Sequence, residues 1–348
     1  MTARFQSLVH GALLALIIGW VLYIGKDVLV PVVFGAVVVY VIVGLTHGMG
    51  RMPVVGRRLP LQLRYLLSIV AIGLALLMLG YLLIAHKDKV VTLAPQYQET
   101  LLAAVQKLAV QFGFETEPTW ATLRQDLLAR INIQMLLGTM LASVSSIAVS
   151  LVIVSLYAVF LLIEQHSFDD KVAQLSKDPR RVARLRQLIG DINRRIGAYL
   201  ALKTFLSLFL GGVSWLVMMS FGLQFAGFWA LLVAILNFVP YLGSVLGVLL
   251  PTILAVVQFD DGGTVLSLVA ALAVAQFLIG NFLDPYVMGS SLNLSPFAIL
   301  VSLAVWSELW GIPGAFLAVP ITAILTIVFS EFAGTRPIAV LLSRNGTL

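Results

Sequence analysis

The chain has 348 residues, 60% of them hydrophobic and 11% charged. Its mean hydropathy is +1.02, whereas soluble domains carry roughly a quarter charged residues, so an ordinary water-soluble globular protein is excluded. Lys and Arg number 22 against 16 Asp and Glu, a net charge of +6, and beside such an apolar excess this bias points to lipid rather than nucleic acid.

With no cysteine, disulfides, thiolate nucleophiles and Cys-based metal or iron–sulfur sites are also ruled out. A bilayer span needs roughly 20 mostly apolar residues. The uncharged stretch 8–24 is followed by no small-x-small cleavage site but by Gly25-Lys26-Asp27 and a second apolar run, 28–45. It therefore reads as a first span in tight succession with a second, not as a signal peptide. The loop 47–64 carries Arg51, Arg57, Arg58 and Arg64 and no acid, and a third uncharged stretch occupies 65–85. Residues 86–130 balance their charges, and Leu101, Leu102, Val105, Leu108, Ala109 and Phe112 recur at helical spacing. This predicts an external amphipathic helix rather than a span, with a second helix beginning near Pro118. The run 131–163 has no charge and predicts a long fourth span, followed by a basic linker over 164–198.

Lys and Arg in short loops are retained on the cytoplasmic side. Placing the N-terminus, the 47–64 loop, the linker and the C-terminal tail 336–348 inside puts most of the basic residues there and leaves 86–130 outside. The chain then divides into a three-span scaffold (1–85), the external region, the fourth span, the linker, a transport core (199–335) and the tail.

Within the core, 199–219 predicts a fifth span, with Lys203 near enough its end for the ammonium to snorkel to the interface. The apolar run 225–257 is cut at Asn237-Phe238-Val239-Pro240-Tyr241-Leu242-Gly243, where proline removes a helical donor and glycine permits a turn. Each arm of about 14 residues reaches roughly 21 Å, short of the roughly 30 Å hydrocarbon core. A related cut, Trp310-Gly311-Ile312-Pro313-Gly314, divides 295–329, and Pro251 and Pro320 occupy like places in the two second arms. Between them, 264–283 is long enough to cross once. The expectation is an all-α polytopic membrane protein of six spans plus two re-entrant hairpins, or eight spans if the broken segments cross as kinked helices. As hairpins, the first would enter from outside and the second from inside, an inverted repeat of the kind by which transporters place polar sites at mid-membrane.

These residues, with Asp284-Pro285, Gly289 and Leu309-Trp310-Gly311 to Pro320, resemble the motifs of the autoinducer-2 exporter family of prokaryotic membrane proteins. The likeness covers most of the chain and is most specific over 199–329. The resemblance implies transport: export of the furanone signal autoinducer-2, or sodium/proton exchange as associated with other members. It also implies a homo-oligomer, a pentamer. Carried onto this chain, the motif positions are Asn237, Pro240, Gly243, Asp284, Pro285, Gly289, Gly311, Gly314 and Pro320.

Each candidate has two readings. Asp284 is either an intramembrane cation or proton site or a cap on the following helix at the membrane surface. Glu308, the one charge between 295 and 330, is either a protonatable group beside the hairpin tip or a salt-bridge partner for Lys203 or a neighbouring subunit. Asn237 and Tyr241 either bind a polar solute or satisfy loose backbone groups at the break. Gln276 and Asn281 read as interhelical hydrogen-bonding groups, and Gly243 and Gly247 form a small-x-x-x-small contact.

No Walker A, G-x-S-x-G or G-x-G-x-x-G sequence occurs, and no His spacing suits a metal. The reading is a non-enzymatic secondary transporter of the cytoplasmic membrane without cofactor or metal, both termini inside. It would export a small polar solute, with H+ or Na+ coupling through Asp284 or Glu308. The pathway would involve Asn237, Pro240, Tyr241, Gly243, Asn281, Asp284, Pro285, Glu308, Gly311, Pro313 and Gly314, with membrane lipids and not nucleic acid as the other partner. A membrane scaffold, or an intramembrane hydrolase using Asp284 with Glu308, are the readings from other classes.

Overall fold

A solvent without hydrogen-bonding capacity obliges each backbone N–H and C=O to find a partner within the protein, which helices do locally. The computed structural model describes residues 2–51, 59–78, 80–81, 133–259, 261–288 and 292–346, and these are helical throughout apart from short turns and one isolated β-bridge. The helices are α1 (Thr2–Ile24), α2 (Lys26–Arg51), α3 (Leu61–Met78), α4 (Ile133–Gln174), α5 (Pro179–Ser220), α6 (Ala226–Leu236) and α7 (Leu242–Gln258). They continue with α8 (Gly262–Leu278), a π-helical turn (Ile279–Leu283), α9 (Asp284–Met288), α10 (Pro296–Glu331) and α11 (Arg336–Leu342). Among the described residues five helices are long and apolar enough to cross a bilayer, or six counting α4, which bends by 65° between Gln165 and Ser167. The protein is thus an all-α polytopic membrane protein. The external region 86–130, the residues Arg57 and Arg58 of the basic loop, and Gly289 lie outside the described residues.

Helices also run further than the charge pattern implies. α4 continues past residue 163 to Gln174, and α5 starts at Pro179, so most of the basic linker is helical. Asp178 explains the restart: its Oδ1 accepts the Arg180 N–H at 2.9 Å, with Pro179 in the first helical position.

The chain forms two units. The first comprises Met1–Ile72, Val152–Lys203 and Met288–Leu348. Here Gly25 alone separates α1 from α2, its N–H still bonded to Val21 at 2.8 Å. α2 and α3 are joined by a buried Thr46–Ser68 hydroxyl pair at 2.9 Å, and α2 is tied to α5 by the Tyr40 hydroxyl donating to Asn193 Oδ1 at 2.7 Å. A core of Ile196, Tyr199, Leu200, Val319 and Ala323 packs α5 against α10.

The second unit comprises Gly73–Leu151 and Thr204–Val287. Its core joins the end of α5 (Met218) to α6 (Ala230), α7 (Leu254, Ala255) and α8 (Leu268, Leu272). Asp261 caps α8, accepting the N–H groups of Gly263 and Thr264 and the Thr264 hydroxyl. These bonds, the Thr264 hydroxyl first, hold the Asp261 carboxyl below its ordinary range.

The two broken segments are hairpins. In the first, Gly247 sits against Val233, 14 positions earlier, although one straight helix would hold them roughly 21 Å apart. The Gln258 amide closes the base by donating to the Gly222 carbonyl at 2.7 Å and accepting the Gln224 N–H at 2.7 Å. The segment α10 passes for a single span by length, but Gly311 breaks it (φ 64°, ψ −142°) and the Trp306 indole reaches the Thr322 hydroxyl at 3.2 Å. In a straight helix those residues would stand roughly 24 Å apart.

Both turns use the same device. A Cβ on Gly243 would lie 2.0 Å from the Leu236 carbonyl oxygen, and one on Gly314 would lie 1.8 Å from that of Trp306. In each case the second arm starts pressed against a carbonyl of the first, a contact that glycine alone allows. Gly243→Ala and Gly314→Ala should each destabilise the protein by about 1–3 kcal/mol through overpacking against backbone, whereas Gly212→Ala, where a Cβ meets nothing within 4 Å, should not. Thermal unfolding of the detergent-solubilised variants checks this, and equal melting of all three would contradict it.

Candidate functional site

The first hairpin tip is built on α5. α6 runs back along α5 so that Asn237, just past its end, donates through Nδ2 to Ser207 Oγ at 3.0 Å, with both residues buried. Along α5, Ser207 lies about 16 Å from Ile196 and about 20 Å from Ser220 at the helical rise of 1.5 Å per residue. The tip therefore stands roughly halfway along the apolar part of that helix. Beyond Asn237 the chain turns through Tyr241, whose φ of 63° is a strained conformation for a bulky residue.

The sequence candidates at this tip are thus brought together in different roles. Asn237 and Gly243 are buried, Pro240 is half-buried and Tyr241 is exposed. The Asn237 amide ties the break to a side chain on α5. The tip is also continuous with the π-helical turn, because Leu210 of α5, Val233 of α6 and Ile279 form one buried cluster with Leu283 packed against it. Gln276 is buried one turn before, its Oε1 facing the Gly247 position.

The π-helical turn has a local cause. Pro285 has no N–H and its ring crowds the carbonyl four residues earlier, that of Asn281. Widening the helix over Ile279–Leu283 gives that ring room, and such π turns recur at functional positions. Asp284 follows directly, half-buried, with helical dihedrals (φ −55°, ψ −55°) inside the apolar stretch Gly262–Val287. A capping residue has extended backbone, so the capping reading of Asp284 does not hold. Asn281 is exposed and bonds back to the Phe277 carbonyl at 3.1 Å.

At the second tip Gly314 is buried, Pro313 half-buried, and Gly311 and Glu308 exposed. Glu308 belongs to the first unit and Asp284 to the second. Lys203, expected to snorkel to the interface, is instead buried, 7% exposed.

Two partners, Ser207 and Thr322, and the contact made by Trp310 were not singled out in the sequence. Ser207 is one of many serines in apolar helices. Thr322 resembles any threonine of α10. Trp310, already in the motif, donates from Nε1 to the Leu22 carbonyl at 2.9 Å, a long-range bond with no periodic signal. Among the described residues no three His, Asp or Glu side chains gather as metal ligands would.

The Asn237–Ser207 bond is the polar fastening of the first tip. Side-chain hydrogen bonds between membrane helices are worth about 0.6 and at most about 1.7 kcal/mol, and Asn237→Ala and Ser207→Ala should each cost that order, with the double variant no worse than the worse single. A double-variant cycle on unfolding in detergent measures this, and strictly additive losses would show that the bond contributes nothing.

The AI-2E family transporter profile matches residues 12–334. The AI-2 transport protein TqsA of Escherichia coli K12 is 30% identical over 323 residues, 91% of this chain and 90% of its own length. The putative transport protein YhhT of the same organism is 29% identical over 278 residues, covering 79% and 77%. Its putative permease PerM is 30% identical over 207 residues, covering 58% and 56%. With a family match over nearly the whole length, this multi-pass membrane protein belongs to the AI-2E family of transporters.

Proposed function

We propose that the protein is a secondary transporter of the cytoplasmic membrane that exports a small polar signal molecule of the autoinducer-2 type. The observation that carries this reading is the first hairpin tip. Interrupted helices at half-depth are tolerated in membranes where they are buried in protein or line a water-filled cavity, and transporters use such interruptions to bind polar cargo. Here the interruption is buried at Asn237, Val239 and Gly243, joined to α5 by Asn237 and Ser207, and adjoined by the Leu210–Val233–Ile279 cluster. TqsA, an AI-2 transport protein related over nine-tenths of this chain, supports autoinducer-2 as cargo. Basic residues in the 47–64 loop, at the start of α5 and in the tail support cytoplasmic termini. The lack of a nucleotide-binding sequence supports a gradient as energy source, and the family resemblance supports a homo-oligomer, a pentamer.

Export is tested with purified protein in liposomes loaded with autoinducer-2. Protein-dependent efflux that saturates with solute is expected, and efflux no faster than from empty liposomes across a panel of polar metabolites would overturn the reading.

A second reading, sodium/proton exchange, is favoured by one observation: Asp284 has helical backbone inside an apolar stretch, where ionisable groups are costly and mark ion paths. If Asp284 couples transport to H+ or Na+, Asp284→Asn leaves solute moving down its own gradient but abolishes acceleration by an imposed proton or sodium gradient. Unchanged gradient dependence in this variant, measured with an internal pH dye, would remove the acid from the mechanism.

A further inference from the structure

The helices of the second unit enclose two polar side chains that belong to neither hairpin tip. α5 and α8 run antiparallel, because Met218 shares one buried cluster with Leu268 and Leu272 while Leu210 shares another with Ile279. Ser214 lies four residues from both Met218 and Leu210, about 6 Å along the helix from each. Gln276 stands on α8 between Leu272 and Ile279. Both side chains therefore sit at the level between the two apolar clusters. Both are enclosed there, Ser214 being 3% and Gln276 8% exposed.

Burying a polar group among apolar ones is costly unless a hydrogen bond compensates. The sequence marks Gln276 as a group that bonds a neighbouring helix, yet among the described residues neither its amide nor the Ser214 hydroxyl has a hydrogen-bond partner. The amide oxygen faces α7 at Gly247, where a Cβ would lie 3.7 Å from Oε1 and 3.6 Å from Val233. Glycine there lets the amide approach the α7 backbone. The Asn237–Ser207 bond lies on the far side of the Leu210–Val233–Ile279 layer, since Ser207 precedes Leu210 by three residues and Asn237 follows Val233 by four. An apolar layer thus separates two polar levels. No residue of α6, α7 or α8, nor of α5 from Thr204 onward, is charged, so these levels carry only neutral groups from those helices.

We propose that Gln276 and Ser214 form a binding site for an uncharged, hydroxyl-bearing solute inside the second unit, with the Leu210–Val233–Ile279 layer as the barrier between that site and the first hairpin tip. A carboxamide offers two donors and an acceptor, and a hydroxyl both donates and accepts. Together they match the hydroxyl and carbonyl groups of a small sugar-like molecule, and they supply no charge to offset that of an ion. The inference rests on the transport reading for calling the occupant cargo. Its readout is the reactivity of the site rather than a flux, so the two can fail separately.

The chain has no cysteine, so introduced thiols are the only targets for a methanethiosulfonate reagent, which needs a thiolate and therefore spares thiols packed in apolar surroundings. In the full chain in liposomes, Ser214→Cys and Gln276→Cys should react, whereas Met218→Cys and Leu272→Cys, at equally enclosed positions, should not. At least one of the neutral solutes autoinducer-2, ribose and glycerol should slow the reaction at 214 and 276, and the anions lactate and phosphate should not. Adding Gln276→Leu to Ser214→Cys should raise the half-protecting concentration of the neutral solute roughly tenfold, the equivalent of one lost hydrogen bond. It should not lower the melting temperature, because an unpartnered buried amide adds no stability that leucine lacks. No reaction at 214 and 276, equal reaction at 218 and 272, slowing by none of the neutral solutes or by the anions, or protection unaffected by Gln276→Leu would each overturn the proposal.

Discussion

Everything in the C-terminal half depends on where the backbone groups of an interrupted helix go when no water is at hand. An unsatisfied N–H or C=O in hydrocarbon costs several kcal/mol, so a helix that stops inside a membrane must hand its loose ends to protein. This chain does so by folding each broken segment onto itself, with a glycine of the second arm against a first-arm carbonyl, Gly243 on Leu236 and Gly314 on Trp306. It then fastens each turn to a neighbouring helix with a side chain: the Asn237 amide on Ser207 and the Trp310 indole on Leu22. The turn residues preserved between the two segments are those that this solution demands.

The two hairpins are alike in construction and unlike in reach. The first has arms of 11 and 17 residues, and its tip stands about halfway along the apolar part of α5. The second has a 15-residue and a 20-residue arm, about 22 and 30 Å long, and its tip meets the last turn of α1. Equal arms of about 14 residues, as composition suggests, are therefore an average of two different objects. The second hairpin is longer by four residues before Gly311 and by three after it, and the arm after Gly311 packs through Val319 and Ala323 against α5. The longer reach is thus supported by additional buried surface.

Much of this was legible in the sequence because its physical basis is local. Spans follow from uninterrupted apolar length and the breaks from Pro and Gly in otherwise apolar runs, whereas the start of α5 at Pro179 falls inside the stretch that reads as a linker. Less legible was whether a broken segment folds back or crosses, since both satisfy hydropathy. Contacts between distant positions, Gly247 with Val233 and Trp306 with Thr322, settle it for hairpins. Asp284 shows the same limit: an acid before proline reads equally as a cap, and the π-helical turn that keeps it inside a continuous helix comes from accommodating the Pro285 ring. Ser207 carries no distinguishing signal, because its importance derives wholly from Asn237, 30 positions away. Lys203 misled for a related reason: apolar flanks suggest a side chain free to reach the interface, and packing instead encloses it.

The central claim is that each broken segment leaves the membrane on the side by which it entered. Single cysteines at Gln224 and Gly262 bracket the first hairpin, and at Asn293 and Gly334 the second, in a chain that has no other thiol. Labelling with a membrane-impermeant maleimide in sealed right-side-out and inverted vesicles reads the side of each. The account predicts that the two positions bracketing a hairpin react from the same side, for both hairpins. Reaction from opposite sides at either pair would mean that the segment crosses the bilayer, and would contradict it.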